Sequence, residues 1–399
     1  MQRAIQAQAI MHNFALATGL SPASHSEVLR EPRRYLWTDA FAVCNYLQFY
    51  RQSGEESFLQ LALELVDQVH EILGQHRKDS AHRGWLSGLD YQQAQQHPTQ
   101  GGLRIGKRLD ERQADEPVNE SLEWNQDGQY FHYLTKWMHA LYCVSRDTQN
   151  SDYHRWAVEL AKVAHAAFTY TPTKAFSAAG GAKHLYWKMS IDLSRPLVLS
   201  MGQHDPLDGL ITYLQLQQAT IKQFPDIPAE LSLTKEIADM GAMCERGNWL
   251  SNDALGIGGL LTDAYKLMQL IRENKVNELG RLEVLLYDAG VSLKIFLGQH
   301  PLDFPAKYRL AFRELGLAIG LQTINKMEQT MAQHAELFSG SDKLPSLIEE
   351  LLVFYPVHKV IVDFWLDPEH QEDASWHDHA DINNVMLATS LAPDGYIDL

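Results

Sequence analysis

One stretch of the sequence, from Leu122 to His139, places aromatic, carboxylate and amide side chains directly before a long amphipathic segment. An aromatic ring offers a flat apolar surface, and carboxylates and amides offer hydrogen bonds. Together these are the groups that hold a sugar ring in a binding site. The candidate sugar-contacting or catalytic residues of this stretch are Glu123, Trp124, Asp127 and Gln129.

Clusters of the same composition recur along the chain, each at or just before the start of a predicted helix. Their repetition indicates a binding surface that is assembled from several helix ends. Tryptophans in these clusters are candidate stacking platforms, and two cations, Lys188 and Arg195, are suited to an acidic group on a substrate. The further candidate substrate-binding residues are Trp37, Asp39, Trp187, Lys188, Arg195, Trp249, Asp253, His377 and His379.

Paired carboxyl groups are the first catalytic candidates, because glycoside hydrolysis needs one protonated carboxyl and one ionised carboxyl. Asp127 and Asp208 are the preferred pair. Asp127 precedes Gly128 and lies between two glutamines, which supply more hydrogen-bonding groups than a helix cap requires. His204, beside Asp205, is a candidate general base. Each acid is alternatively a helix cap alone, and His204 is alternatively a structural or exposed histidine.

Two histidine patterns leave alternatives open. His132, Lys136 and His139 share one face of a predicted helix, which is either functional or an interhelical stripe. His377-Asp-His379 has the composition of a metal site, but no third ligand is evident, so we expect neither a metal nor a cofactor.

Composition limits the partners and the compartment. The net charge of −16 over 399 residues, with no long basic run, argues against nucleic acid and anionic membranes as partners. No apolar run is long enough to span a membrane, and the first residues do not resemble a signal peptide. Cys44, Cys143 and Cys244 each lie in an apolar segment without a CxxC pair, which predicts buried reduced thiols and a cytoplasmic protein.

Apolar periodicity predicts helices almost throughout the chain and no sustained strands. The twelve predicted helices span 2–18, 36–51, 55–75, 127–146, 152–169, 206–220, 229–246, 253–271, 277–297, 306–335, 342–354 and 378–390. Short and long connections alternate, and the long ones, 76–126, 170–205 and 355–377, end in the polar aromatic clusters. We therefore expect six helical hairpins in one domain, residues 1–399, with alternate helices forming an inner set.

Three glycines, Gly256, Gly258 and Gly259, lie inside a predicted helix with no strand before them. They are therefore not a nucleotide-binding loop, and close packing between helices explains them better.

The chain resembles the six-hairpin, (α/α)6-toroid superfamily of glycoside hydrolases and N-acylglucosamine 2-epimerase-like sugar isomerases. The segment from Arg34 to Ala42 is similar to the first inner helix of those enzymes, and the segment from Trp124 to Tyr130 is similar to their carbohydrate-contacting loops. The resemblance implies an all-α (α/α)6 toroid whose active site lies where the inner helices begin.

The function that follows from these residues and this resemblance is that of a carbohydrate-active enzyme, with a glycoside hydrolase preferred. A sugar epimerase or isomerase with histidine acid–base chemistry is the alternative enzyme, for which the resemblance suggests His204 with His377 or His379. A non-catalytic carbohydrate-binding or scaffold protein of the same fold is the third alternative. The expected partner is a small carbohydrate or sugar derivative, and a homodimer is left open.

Overall fold

The structure is a computed structural model that describes residues 2–20, 32–172, 183–245, 247–274 and 278–399. The described residues form two compact units. One unit is Ala15–Gly247, and the other joins the residues up to Phe14 to Asn248–Leu399. We describe each unit by itself.

Helices make up most of both units. In chain order they are α1 (Gln2–Thr18), α2 (Leu36–Ser53), α3 (Glu56–Leu73), α4 (Tyr91–Gln96), α5 (Glu120–Glu123), α6 (Phe131–Thr148), α7 (Ser151–Phe168), α8 (Asp205–Lys222), α9 (Thr234–Cys244), α10 (Ala254–Asn274), α11 (Leu279–Gly298), α12 (Ala311–Gln333), α13 (Leu344–Leu352), α14 (Val357–Leu366), α15 (Pro368–Gln371), α16 (Ala374–His377), α17 (Ala380–Leu391) and α18 (Asp394–Ile397).

Consecutive long helices pack as pairs. In the Ala15–Gly247 unit the pairs are α2–α3, α6–α7 and α8–α9, and the first helices of these pairs pack side by side. In the other unit α10 pairs with α11 and α12 with α13, while α12 lies between α10 and α17. The inner helices are thus α2, α6 and α8 in one unit and α10, α12 and α17 in the other. The predicted all-α fold class, built from paired helices, is confirmed within each unit.

Burial explains why the inner helix α2 lacks a clear amphipathic pattern. In α2 every residue from Leu36 to Phe49 is buried, whereas the outer helix α3 buries one face only. A helix that is enclosed on all sides has no solvent face on which to place polar residues. The apolar periodicity of α3 is therefore clearer than that of α2.

The predicted helix bounds differ from the structure at several ends, and the helices α4, α5, α14, α15 and α16 lie in segments that were predicted to be loops. Residues 355–377 were expected to be a loop, but they contain α14. Its buried residues His358, Ile361, Val362 and Trp365 follow the helical spacing i, i+3, i+4 and i+7. The predicted helix start at 127 was also too early, because residues 129–130 form a strand. Residues 173–182 of the predicted loop 170–205, and the predicted helix ends 246 and 277, lie outside the described residues.

Five short strands lie in the Ala15–Gly247 unit. They are β1 (Gln129–Tyr130), β2 (Thr169–Tyr170), β3 (His184–Leu185), β4 (Lys188–Met189) and β5 (Pro196–Val198). β4 lies between β1 and β5 in one antiparallel sheet, and β2 pairs with β3 in another. The first of these sheets pairs β4, which belongs to the long connection 170–205, with β1, the strand that precedes α6.

The first long connection, 76–126, also packs at the start of the inner helices. The Leu36 amide donates to the Ile105 carbonyl, and the Ile105 amide donates to the Gly128 carbonyl. The connection therefore forms a wall beside the starts of α2 and α6.

The three cysteines are buried, as predicted, and none forms a disulfide with another described cysteine. Within the part of the chain that the structure describes, no helix is both long enough and apolar enough to cross a lipid bilayer.

Close packing of α10 on α12 explains one of the three glycines. A Cβ atom at Gly258 would lie 2.2 Å from the Gly316 carbonyl oxygen, whereas a Cβ at Gly259 would meet nothing within 4 Å. We expect Gly258→Ala to decrease the free energy of unfolding by about 1–3 kcal/mol because the two backbones must separate. Gly259→Ala, its matched control, should increase it by up to about 1 kcal/mol because alanine favours helix.

Urea denaturation of both variants measures these free energies. Equal effects of the two substitutions would contradict the proposed backbone contact between α10 and α12.

Candidate functional site

The N-terminal ends of α2, α6 and α8 meet within the Ala15–Gly247 unit. The Tyr35 and Tyr133 hydroxyls lie 2.7 Å apart and connect the start of α2 to the first turn of α6. Lys136 Nζ donates to Asp208 Oδ1 over 2.7 Å and connects α6 to the first turn of α8. We call this surface the rim, and its residues are Tyr35, Trp37, Tyr130, His132, Tyr133, Lys136, Trp187, Asp205 and Asp208.

Asp127, the preferred catalytic candidate from the sequence, is a buried anchor beneath the rim. Its side chain has no exposed surface. Oδ2 accepts from Arg104 at 2.9 Å and from Arg77 at 3.5 Å. Oδ1 accepts from the backbone amides of Gly106 and Gly128 at 3.0 and 3.1 Å. These bonds occupy both oxygens, so the carboxylate fastens the 76–126 connection to the strand before α6 and offers no surface to a substrate.

Glu123 and Lys188, both substrate-binding candidates, form a second buried anchor. Lys188 Nζ donates to the carbonyls of Glu123 and Gln126 at 2.7 and 2.9 Å, and lies 3.2 Å from Glu123 Oε2. Burial lowers the pKa of the Lys188 ammonium, and the nearby Glu123 carboxylate opposes that shift. Arg112 also pairs with Glu123. The Lys188 ammonium thus holds in place the backbone of residues 123–126, which precede α6.

Aromatic rings cover the rim because the short sheet aligns them. Tyr130 pairs with Lys188 across β1 and β4, which places Trp187 5.4 Å from the Tyr130 ring. The His132 ring stacks on Tyr130 at 5.3 Å and on Trp187 at 6.3 Å. Trp124, half exposed, meets Trp187 edge-on at 4.8 Å. The rim therefore presents the flat apolar surface that the tryptophan clusters predicted.

A histidine and a carboxylate face each other at the rim. His132 Nδ1 lies 3.7 Å from Asp205 Oδ1, and the His132 side chain is 28% exposed. Among the described residues, His132 Nδ1 and Asp205 Oδ2 are both buried and accept or donate no hydrogen bond. Buried polar atoms are nearly always satisfied, and a small movement of either side chain would join this imidazole and this carboxylate in a hydrogen bond.

Asp208, the second catalytic candidate, also lies at the rim, where it accepts from Thr135 Oγ1 and from Lys136. Its side chain is one helical turn from Asp205, so both carboxylates project from the start of α8 toward α6. The ammonium of Lys136 is one turn from His132 along α6. The rim thus combines an imidazole, two carboxylates and one cation.

Most of the remaining candidate residues of this unit bond to, or pack on, other residues of the protein. Asp39 is buried, pairs with Arg34 and accepts from the Tyr35 amide at 2.8 Å. Gln129 has no exposed surface and bonds to three loop backbone groups. Arg195 donates to the Arg112 carbonyl. His204 is half-buried at the N-cap of α8, and Trp37 is a rim residue that packs on Phe41 and Tyr133.

Four candidates belong to the other unit. Trp249 is buried, and its backbone amide donates to Asp288. Asp253 accepts from the Gly256 amide and pairs with Arg313, as a helix cap does. His377 and His379 are exposed at the end of α16 and the turn after it, and the His379 ring contacts Phe312.

Three rim residues were missed in the sequence: Tyr35, Tyr130 and Tyr133. Each directly precedes or begins an inner helix, so the helix starts were the signal that would have found them. His132 and Lys136 were identified in the sequence, with an interhelical stripe as the alternative. Asp205 was noted beside His204, with a helix cap as the alternative.

The anchor role of Asp127 predicts a stability effect. Asp127→Asn removes the charge that compensates two largely buried arginines, and we expect the free energy of unfolding to fall by about 3–5 kcal/mol. Asp79→Asn is the matched control, because Asp79 binds the same Arg77 from the surface, where its side chain is 63% exposed. That control should lose less than about 1 kcal/mol. Similar stability of the two variants in urea denaturation would contradict the anchor role.

No protein-family model and no curated protein sequence matches the chain. Three solved structures are similar to it. The GH76 alpha-mannanase of Bacteroides thetaiotaomicron has 11% identity and a TM-score of 0.48, over 97% of this chain and 96% of that one. The cellobiose 2-epimerase of Spirochaeta thermophila has 12% identity and a TM-score of 0.48, over 97% and 98%. A D-mannose isomerase has 12% identity and a TM-score of 0.43, over 85% of each chain.

Proposed function

We propose that the protein is a carbohydrate-active enzyme that transfers a proton on a sugar at the rim, in the manner of a sugar isomerase or epimerase. The observation that carries this proposal is the position of His132. Its ring lies against Tyr130 and Trp187, and its Nδ1 is 3.7 Å from Asp205. The names of the similar solved structures, a mannanase, a 2-epimerase and a mannose isomerase, support a sugar as substrate.

The aromatic cover of the rim supports binding of a sugar ring. Stacking on Trp187 or Trp124 removes the apolar C–H face of the sugar from water, and the hydroxyls then need polar partners at the edge of the ring. The Tyr35 and Tyr133 hydroxyls, Lys136 and Asp208 are such partners.

The proposed reaction needs only groups of this chain. His132, oriented by Asp205, takes a proton from the carbon next to the sugar carbonyl. As the C–H bond breaks, its electron pair forms a carbon–carbon double bond, and the carbonyl electrons move onto oxygen as an enediolate. The positive charge of Lys136 stabilises that oxygen. Return of the proton to the neighbouring carbon, with the hydroxyl proton moving from one oxygen to the other, gives an isomer. Protonation of the same carbon on the opposite face, which requires the intermediate to turn over within the site or a second acid on that face, gives an epimer.

A glycoside hydrolase remains the second candidate because Asp205 and Asp208 project from adjacent turns of α8. A hydrolase would use one as acid and the other as base or nucleophile. The pair favoured by the sequence, Asp127 with Asp208, is not part of this proposal, because both oxygens of Asp127 are bound to arginines and backbone amides.

Solvent deuterium separates the two reactions. We expect the wild-type protein, incubated in D2O with a panel of aldoses and ketoses, to introduce deuterium at the carbon next to the carbonyl of its substrate, as measured by proton NMR. His132→Gln and Asp205→Asn should each decrease the exchange rate about 10²–10⁴-fold, because a positioned acid–base group is lost. His300→Gln, at a histidine whose side chain is 78% exposed, is the control and should exchange like wild type.

Hydrolysis of a glycoside without deuterium at carbon would favour the second candidate. Wild-type exchange rates in the His132→Gln protein, with an unchanged melting temperature, would exclude His132 as the acid–base group.

A further inference from the structure

Two cysteines and one histidine meet in the interior of the Ala15–Gly247 unit. Cys44 lies on α2, and His139 and Cys143 lie one turn apart on α6. The three side chains are buried, and their ligating atoms all lie within 4.8 Å of one another. Among the described residues, no other group of three potential metal ligands is this close.

The distances between these atoms are close to those around a tetrahedral metal ion. Zinc–sulfur and zinc–nitrogen bonds of about 2.3 and 2.05 Å place ligating S and N atoms about 3.6 Å apart, and two S atoms about 3.8 Å apart. His139 Nε2 lies 3.7 Å from Cys143 Sγ. Since the largest separation in the group is 4.8 Å, the remaining ligand atoms need to move by at most about 1 Å.

The surroundings of His139 suit a ligand. Its Nδ1 lies 3.1 Å from the Gln215 side-chain amide on α8, which leaves Nε2 directed toward Cys143. Metal-bound histidines generally donate their other ring N–H to such an acceptor, which fixes the tautomer and the ring orientation.

Charge balance favours a divalent soft cation. Two thiolates and a neutral imidazole carry a net charge of −2, so a divalent ion leaves the buried site neutral and avoids the desolvation cost of an uncompensated charge. Thiolate ligands select soft cations, and zinc(II) is the soft divalent ion most often bound by Cys and His.

We propose that Cys44, His139 and Cys143 bind a zinc ion that fastens α2 to α6. The site is separate from the rim, because His139 lies seven residues after His132, about 10 Å along the helix axis. Zinc binding displaces the two thiol protons. Its role is structural: it stabilises the packing of two inner helices.

Metal content and cobalt spectroscopy test the proposal. Full-length protein from zinc-supplemented medium, purified under reducing conditions, should contain about one zinc per chain by plasma mass spectrometry. Cys44→Ser and Cys143→Ser should each decrease the zinc content at least about tenfold. Cys244→Ser is the matched control, since Cys244 is a buried cysteine on α9 outside the group, and should retain the metal.

Two further measurements keep the test independent of the folding of these variants. Wild-type protein refolded with Co²⁺ should show thiolate-to-cobalt charge-transfer absorption. Gln215→Leu should keep the metal stoichiometry but weaken zinc affinity about 10–100-fold, because only the supporting hydrogen bond is lost. Zinc-free wild-type protein, equal zinc in Cys143→Ser and Cys244→Ser, or bound cobalt without the charge-transfer absorption would each overturn the proposal.

Discussion

The carboxylate of Asp127 holds the 76–126 connection of the Ala15–Gly247 unit against the strand that precedes α6. It receives two arginines and a glycine amide from the 76–126 connection while lying two residues before β1. β1 leads directly into α6, and its pairing with β4 positions Trp187. The ring of Trp187, the start of α6 and the connection that walls the rim therefore all depend on one buried ion network. Such a network is costly to break because its cations would remain without compensation.

Helix α6 carries both proposed sites of this unit. Its first turns present His132, Tyr133 and Lys136 to the rim, and its next turns present His139 and Cys143 to α2. The spacing of three and four residues places His132, Lys136, His139 and Cys143 along one face of this inner helix. A zinc ion between α2 and α6 would hold fixed the two helices whose ends carry Tyr35 and His132. The rigidity of a sugar site at the rim would then depend on the packing beneath it.

Most of the long helices could be predicted from the sequence, because apolar spacing and helix caps are local features of the sequence. The contacts of the candidate site residues are not local in this way. Asp127 was predicted to be catalytic, but its partners Arg77 and Arg104 are 50 and 23 residues earlier, so its burial could not be read from its neighbours. Cys44 and Cys143 were predicted to be buried reduced thiols. Their proximity could not be predicted, because only the packing of α2 on α6 brings them together. Trp249 was a substrate-binding candidate because it lies in a polar cluster of the sequence, but its side chain is buried in the core.

The central claim is that a sugar binds at the rim beside His132. Histidine-selective NMR tests it most directly, since the ring signals of each histidine report on their own surroundings. With ¹⁵N-labelled histidine and signals assigned by substitution, titration with the sugar that the protein converts should shift the His132 resonances in a saturable way and leave those of the exposed His300 unchanged. A sugar that is converted while the His132 resonances do not move would place substrate binding elsewhere and contradict the account.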